Sequence, residues 1–367
     1  MATGDNQGGP SHANAPKSNE TSANTASIGA MGDQASTDPS DIVYTPPESI
    51  TGIASSLGSD NTSTTTLSNT NTLTNQSISG AASNISKREY IYFLPYPLPP
   101  GTEVPYSIHL PEKNPLNLPS HQFEPTNTLV LTSPLRTFAD IRIYKAFTTS
   151  TAPTPNSIGQ GPQQRLEWAF AGTSTSVPIQ PPGASDGGTQ KPQEDEEWEN
   201  VTHSTWKHWL DSRYTVGDPS IPVDGGDMYP LSEELTLEVG HAYHPALEAV
   251  KTHEEMWRDE EIKSTSLPVT GTGGKKLCVV LRCHDDAAGV RGVIVRVGQY
   301  VQGILMQGDK TTVERWEWAV ENEGEDEMAK WQRTVRIGGA FLPCAVCFRD
   351  AVLAVGGKVR YGEFEWV

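Results

Sequence analysis

Tryptophan, tyrosine, arginine and aspartate recur together between residues 168 and 259, and that mixture is what a small-molecule cavity requires. Trp168, Trp206, Trp209, Tyr229 and Trp257 offer bulky walls, while Asp211, Arg213, Asp227, Arg258 and Asp259 offer a few directional polar groups. The candidate ligand-binding residues are therefore Trp168, Trp206, Trp209, Asp211, Arg213, Tyr229, Trp257 and Arg258, in a cavity or at its rim. The same residues also suit plain packing, with tryptophans filling a barrel and ion pairs capping its open ends.

Other chemistries find weaker patterns. Cys278, Cys283, Cys344 and Cys347 could supply four thiolates to zinc. Leu277, Val279 and Leu281 alternate as a strand, however, so Cys278 and Cys283 point to opposite faces, and buried structural thiols are the better reading. Cys344-Ala-Val-Cys347 lacks the βαβ setting of a redox motif. His203, His208, His241, His244 and His253 could hold a metal or haem, although surface or hydrogen-bonded histidines are commoner. Gly271-Thr-Gly-Gly-Lys275 misses the spacing of a phosphate loop, and no Gly-x-Ser-x-Gly elbow occurs. No catalytic residue is nominated, so the expectation is a protein that is not an enzyme and needs no cofactor.

Composition narrows the partners. The chain has 367 residues and a net charge of −18. A nucleic acid or anionic membrane needs a basic footprint, which this balance opposes. No apolar run reaches the length of a membrane span and no secretory leader is recognised, so the expected location is the cytosol and nucleus.

The elements that must position the candidate residues are strands. Residues 165–170 (Arg-Leu-Glu-Trp-Ala-Phe) and 315–320 (Arg-Trp-Glu-Trp-Ala-Val) are one strand phrase written twice. Leu235 to Gly240 and Val352 to Gly356 look like a second shared phrase, so two copies of one all-β module are expected. In the first module, strands are read at Tyr90 to Leu94, Thr128 to Leu131, Phe138 to Tyr144, Leu166 to Ala171, Thr205 to Leu210, Leu235 to Val239 and around Trp257. In the second, Val293, Val295 and Val297 alternate, as do Trp316, Trp318 and Val320, with one short helical possibility at 324–333. Gly362 is read as a bulge that returns Phe364 and Trp366 to the inner face.

The expected organisation is a disordered Ser/Thr/Asn-rich tail at 1–86, a first barrel at 87–264 and a second at 275–367, joined by a linker at 263–276. Two polar insertions, about 146–163 and 174–200, interrupt the first module. Meander strands with one apolar face close naturally into antiparallel barrels, which leave no orphan edge.

Leu166 to Thr173, Trp206 to Arg213, Gly226 to Pro230, Glu254 to Asp259 and Arg296 to Gly303 together resemble the fungal HRI family, over about residues 88–367. That family is named for interaction with a yeast casein kinase I. The resemblance implies two tandem lipocalin-like β-barrels, a cytoplasmic and nuclear protein, a casein kinase I-type partner and no established catalytic activity.

Two functions follow as expectations. The first is a non-catalytic interaction platform whose tail carries phosphorylation acceptors such as those from Ser59 to Thr66. The second is a carrier or sensor of a small apolar or haem-like ligand held in one barrel.

Overall fold

Runs of branched and aromatic residues broken by Gly, Pro and Asn become strands in the computed structural model, which describes residues 43–45, 82–145, 165–179, 200–244, 247–265, 274–323, 326–349 and 353–367. After β1 (Val43–Thr45) come β2 (Asn84–Leu94), β3 (Thr126–Thr132), β4 (Thr137–Tyr144), β5 (Leu166–Pro178), β6 (Thr202–Asp211), β7 (Val223–Pro230), β8 (Leu235–His244) and β9 (Ala249–Asp259). Strands β2 to β9 pair antiparallel in chain order, and β9 returns to β2 to close a barrel. Then β10 (Cys278–Asp285), β11 (Val290–Val297), β12 (Tyr300–Gln307), β13 (Lys310–Glu323) and β14 (Asp326–Ile337) form a five-stranded meander sheet. A three-stranded sheet joins β15 (Lys358–Tyr361) to β16 (Phe364–Trp366) on one side and β1 on the other. Among the described residues no helix is long and apolar enough to cross a membrane.

The all-β expectation holds, with one closed barrel. A second closed barrel is not shown: β10 to β14 stay an open sheet because both faces are covered, which removes the need to curl shut. One face presents Val293, Val295, Ile304 and Val313 to Leu129, Leu131, Ile141 and Ala169 on the outside of the barrel. The other presents Leu281, Ile294, Val301 and Leu305 to Val359, Trp366 and a 3₁₀ turn at Cys344–Phe348. Strand β11 is therefore buried almost throughout, as a strand covered on both faces should be. Backbone bonds of 2.8 Å in both directions between Arg282 and Val367 tie β10 to the end of the smaller sheet.

Two buried polar side chains bolt the sheet to the barrel. Gln302 donates from Nε2 to the carbonyls of Leu129 and Ala139, both at 2.9 Å. Arg315 donates to Gln302 Oε1 at 2.9 Å, to Asn127 Oδ1 at 2.9 Å and to the carbonyl of Ile141 at 2.6 Å. These groups fix the register of one layer on the other, where apolar contact alone would let them slide.

Several local expectations change. The span 324–333 is not helical where described: β14 pairs with β13, and Trp331 lies opposite Trp318 at a ring separation of 5.7 Å. Gly362 is no bulge but part of the two-residue turn between β15 and β16, with φ 61; Val359 then pairs with Trp366, both fully buried. The repeated phrase at 165–170 and 315–320 lies on β5 and β13, whereas 353–357 is not a strand and does not match β8. Residues 174–178 extend β5 instead of opening an insertion, because Thr175 and Ser176 bond Thr205 and Ser204 across the strand pair at 2.6 and 2.8 Å. The insertion at 146–163 and most of the second lie outside the described residues, as does most of the tail. Of the tail, Val43–Thr45 pairs with β15 and Asn84 to Ser86 begin the barrel, since both stretches carry branched apolar residues with a partner strand available.

Candidate functional site

Alternation on β4 sends Ala139, Ile141 and Ile143 outward to the five-stranded sheet, which leaves Phe138, Asp140 and Arg142 facing the barrel interior. Cross-strand register extends that inner row: Arg142 lies opposite Trp168, Asp140 opposite Phe170, and Phe170 opposite Asp211. On the far wall β8 and β9 place Glu238 opposite Glu255. The interior is thus charged.

The charges are joined in a chain. Arg88 donates to Glu124 at 2.6 Å, to Glu255 at 2.9 Å and to Thr126 at 3.1 Å. Glu255 also lies 3.9 Å from Arg142, which donates two bonds to Asp140 Oδ2 at 3.0 and 2.9 Å. Burial by itself raises the Glu255 pKa, but the adjacent guanidiniums of Arg88 and Arg142 outweigh it and hold the carboxyl at about 2. Asp140 goes the other way: burial outweighs Arg142 and raises its pKa, and its Oδ1 has no hydrogen-bond partner. Beyond this chain Trp257 donates to Glu238 at 2.9 Å. Gly226 and Gly240 make room there, since a Cβ would lie 2.8 Å from the Glu238 side chain at one and 2.6 Å from His253 Nε2 at the other.

A second constellation gathers around His208. Its Nδ1 is 2.9 Å from Asp211 Oδ2, and its ring stacks on Phe170 at 4.2 Å. Its Nε2 is 3.3 Å from Asp224 Oδ2, close enough for attraction but not aligned for a hydrogen bond. The other Asp211 oxygen accepts from Trp168 Nε1 at 2.8 Å and from the backbone N–H of Arg213 at 2.9 Å. Arg213 covers the Trp168 ring at 3.9 Å and pairs with Glu167. Among the described residues the groups facing the His208 ring nitrogens are the carboxylates of Asp211 and Asp224.

Burial lowers the His208 pKa, but its bond to Asp211 and the nearby negative charges of Asp211 and Asp224 more than offset this and the net shift is upward from 6.5. A folded-state pKa above the unfolded one means stabilisation that is complete below pH 6.5 and is lost as pH rises through the raised value. His208→Gln should therefore flatten part of the decline in stability on the alkaline side. Urea midpoints followed across neutrality measure it, and an unchanged pH profile would contradict this role.

Of the residues expected at a cavity, Trp168, Asp211 and Arg213 do meet. Trp257 and the half-buried Trp206 also belong to inner rows, Trp206 opposite Asp224 and Ser174. The other three lie elsewhere. Trp209 faces the five-stranded sheet, between Arg282 and Arg291 at 5.5 Å each. Tyr229 is buried on the outer face with Tyr90, Tyr92 and Tyr106, where burial pushes its phenol up to about 12. Arg258 is a surface residue paired with Glu89 at 2.7 Å. Sequence reasoning missed Arg88, Glu124, Asp140, Arg142, Glu238 and Glu255, although the alternation from Ala139 to Ile143 displays one pair of them openly.

No group of three or more His, Cys, Asp or Glu side chains among the described residues is arranged to hold a metal ion. The thiols are unpaired and buried or nearly so. Burial pushes Cys283 and Cys347 up to about 12 and raises Cys278 and Cys344 as well. Since the thiolate is the reactive form, iodoacetamide at neutral pH should leave the folded chain unlabelled while it labels the denatured chain at all four cysteines. Prompt labelling of Cys344 or Cys347 in the folded chain would show that the turn opens.

A family model described as Protein HRI1 matches residues 109–367. A crystal structure of an uncharacterized protein from Saccharomyces cerevisiae, YLR301w, aligns with a TM-score of 0.46 at 17% identity, covering 78% of this chain and 97% of that one. Comparison with curated proteins gives no match.

Proposed function

The chain belongs to the HRI1 family, and from that premise we propose that it is a non-catalytic protein-interaction platform acting in the cytosol and nucleus. The observation that carries this reading is the barrel interior, whose Arg88, Glu255, Arg142 and Asp140 are engaged with one another. An apolar ligand placed among such groups would desolvate ions without replacing their hydration, so carriage of a lipid or haem-like molecule is the poorer reading. The fastening of the sheet to the barrel by Gln302 and Arg315 supports the platform as well, because it holds the outer surfaces in fixed relation. The lipocalin-like character of the barrel and a tandem origin of β2 to β5 and β10 to β13 belong to this proposal, supported by the shared phrase on the fourth strand of each meander.

The partner class is a casein kinase I-type kinase, by resemblance, with the Ser/Thr-rich tail as its substrate segment. Calorimetric titration of the full chain with such a kinase tests it. A saturable complex is the expected result. A kinase left free at micromolar concentrations would contradict the partner, and a purified chain carrying stoichiometric haem or lipid would contradict the platform.

A further inference from the structure

Three basic side chains share the face of β10 and β11 that is turned to the barrel. Val293 and Val295 mark that face, and the register places Arg282 opposite Val293 and His284 opposite Arg291. Arg282 and Arg291 are thus diagonal neighbours, roughly 7–8 Å apart and within reach of one another's side chains. Trp209, on the outer side of β6, borders all three: it lies 5.5 Å from each guanidinium and 6.4 Å from the His284 ring. Lys207 is exposed on β6 opposite Thr173, which in turn lies opposite Thr137, and Thr137 accepts from Arg282 at 2.9 Å. Little negative charge meets this cluster. Among the described residues Arg282 and Lys207 pair with no carboxylate, and Arg291 has only Asp286 at 3.2 Å, a turn residue whose side chain is 67% exposed. Arg88 and Arg142 show what full neutralisation looks like in the same molecule. Donors are also left over. Arg282 uses only Nη2, on Thr137; Arg291 uses Nε on Asp286 and Nη1 on the Trp209 carbonyl, while its Nη2 stays uncrowded, 3.9 Å from where a Cβ on Gly217 would sit. Fastening the sheet to the barrel accounts for the bonds that are made, but not for the spare donors or for like charges placed side by side.

We propose that Trp209, Arg282, His284 and Arg291, with Lys207 at the rim, form a binding site for a phosphate monoester. Guanidinium forks match phosphate oxygens in both geometry and charge. The Trp209 ring holds the two forks in place before any ligand arrives, so less ordering is needed on binding. An anion seated there also relieves the repulsion between basic groups on paired strands. A phosphate dianion has enough acceptor oxygens to use the spare donors of both arginines at once, whereas a carboxylate brings a single charge and fewer oxygens. A lone phosphate is favoured over a polyanion as well. Nucleic acid or an anionic bilayer would meet the wider surface of a chain of net charge −18, while a monoester meets only this cluster. The same group is carried by a phosphoserine or phosphothreonine in a peptide and by a small phosphorylated molecule, and the two differ in what lies beyond the phosphate.

The site is separate from the platform reading: it involves no kinase, and either can fail without the other. The full chain, stripped of its own phosphate by a phosphatase that is then removed, is titrated into a fluorescein-labelled peptide of phosphoserine between alanines, with fluorescence anisotropy as the readout. The unphosphorylated twin is the control. The expected result is saturable binding of the phosphopeptide, binding of the twin weaker by about ten-fold or more, and loss of affinity as sodium chloride is added. Arg282→Gln should weaken binding about ten-fold or more, and Arg282→Lys, which keeps the charge but not the fork, should fall between that variant and the parent. Lys207→Gln, a change at an exposed position, should weaken it about two- to five-fold. Circular dichroism and urea midpoints check that each variant folds; should Arg282→Gln fail to fold, Arg282→Lys and Lys207→Gln carry the test. Competition identifies the source of the phosphate. Displacement by inorganic phosphate or free phosphoserine at concentrations near the peptide's own Kd assigns the site to small phosphorylated molecules, and displacement only at about ten-fold higher concentrations assigns it to phosphopeptides. Equal binding of the two peptides, no saturable binding of the phosphorylated one, or an affinity untouched by the Arg282 and Lys207 substitutions would overturn the proposal.

Discussion

Glu255→Ala should cost about 3–5 kcal/mol of folding stability, the scale seen when one partner of a buried ion pair is removed. Glu255 is 5% exposed and sits between two guanidiniums, so its loss leaves Arg88 with Glu124 and Arg142 with Asp140. Neither remaining carboxylate replaces it well. Asp140 already has a raised pKa from burial, which means it resists carrying full charge. The pH dependence follows the same logic with a defined sign. A folded-state pKa of about 2, against an ordinary 4.5, gives stability that is present above pH 4.5 and lost as pH falls towards 2. Urea denaturation followed by tryptophan fluorescence should show the loss, together with a flatter acid limb in the variant. A change under about 1 kcal/mol would mean that Arg88 and Arg142 are hydrated in solution and that the interior is wet.

Arg315→Ala should cost about 3 kcal/mol for a different reason. The Arg315 guanidinium is bonded to Gln302, Asn127 and the Ile141 carbonyl, not to a carboxylate, and burial pulls its pKa down to about 10. Removing it strands buried acceptors, which costs more than the bonds themselves contributed. The expected signature is also spatial: amide exchange should accelerate on β3, β4 and β12, where barrel and sheet meet, and much less on β8 and β9. Arg315→Met keeps most of the volume and should lie between the alanine variant and the parent. Uniform exchange across both layers would show that the bolt is not local.

The strand pattern was legible from period alone, but its polarity was not. From Ala139 to Ile143 the alternation marks a strand, and the ordinary inference turns its apolar side into the barrel. Here that side faces outward, because a second sheet covers it, and no sequence period reports a cover contributed from residues 290–313. The same cover explains why the second module was read as a barrel: its strands are apolar enough to close, but they bury themselves between two neighbours instead. Strand β7 escaped notice because Gly225 and Gly226 look like a turn, and only the Glu238 side chain packed against Gly226 explains a glycine there. Trp168, Asp211 and Arg213 were recoverable because they flank a single hairpin, β5 to β6. The ionic chain joins β2, β4 and β9 with Glu124, two residues before β3, a grouping that exists only after the barrel closes.

Native mass spectrometry of the full chain, purified without detergent and then exposed to an excess of fatty acid or haem, decides whether the barrel is a solid pillar or a container. A filled interior leaves the polypeptide mass, with any phosphates, unchanged by either compound. A one-to-one adduct that forms with the parent and disappears with Trp168→Ala would show an accessible hollow among those side chains, and the carrier would then replace the platform.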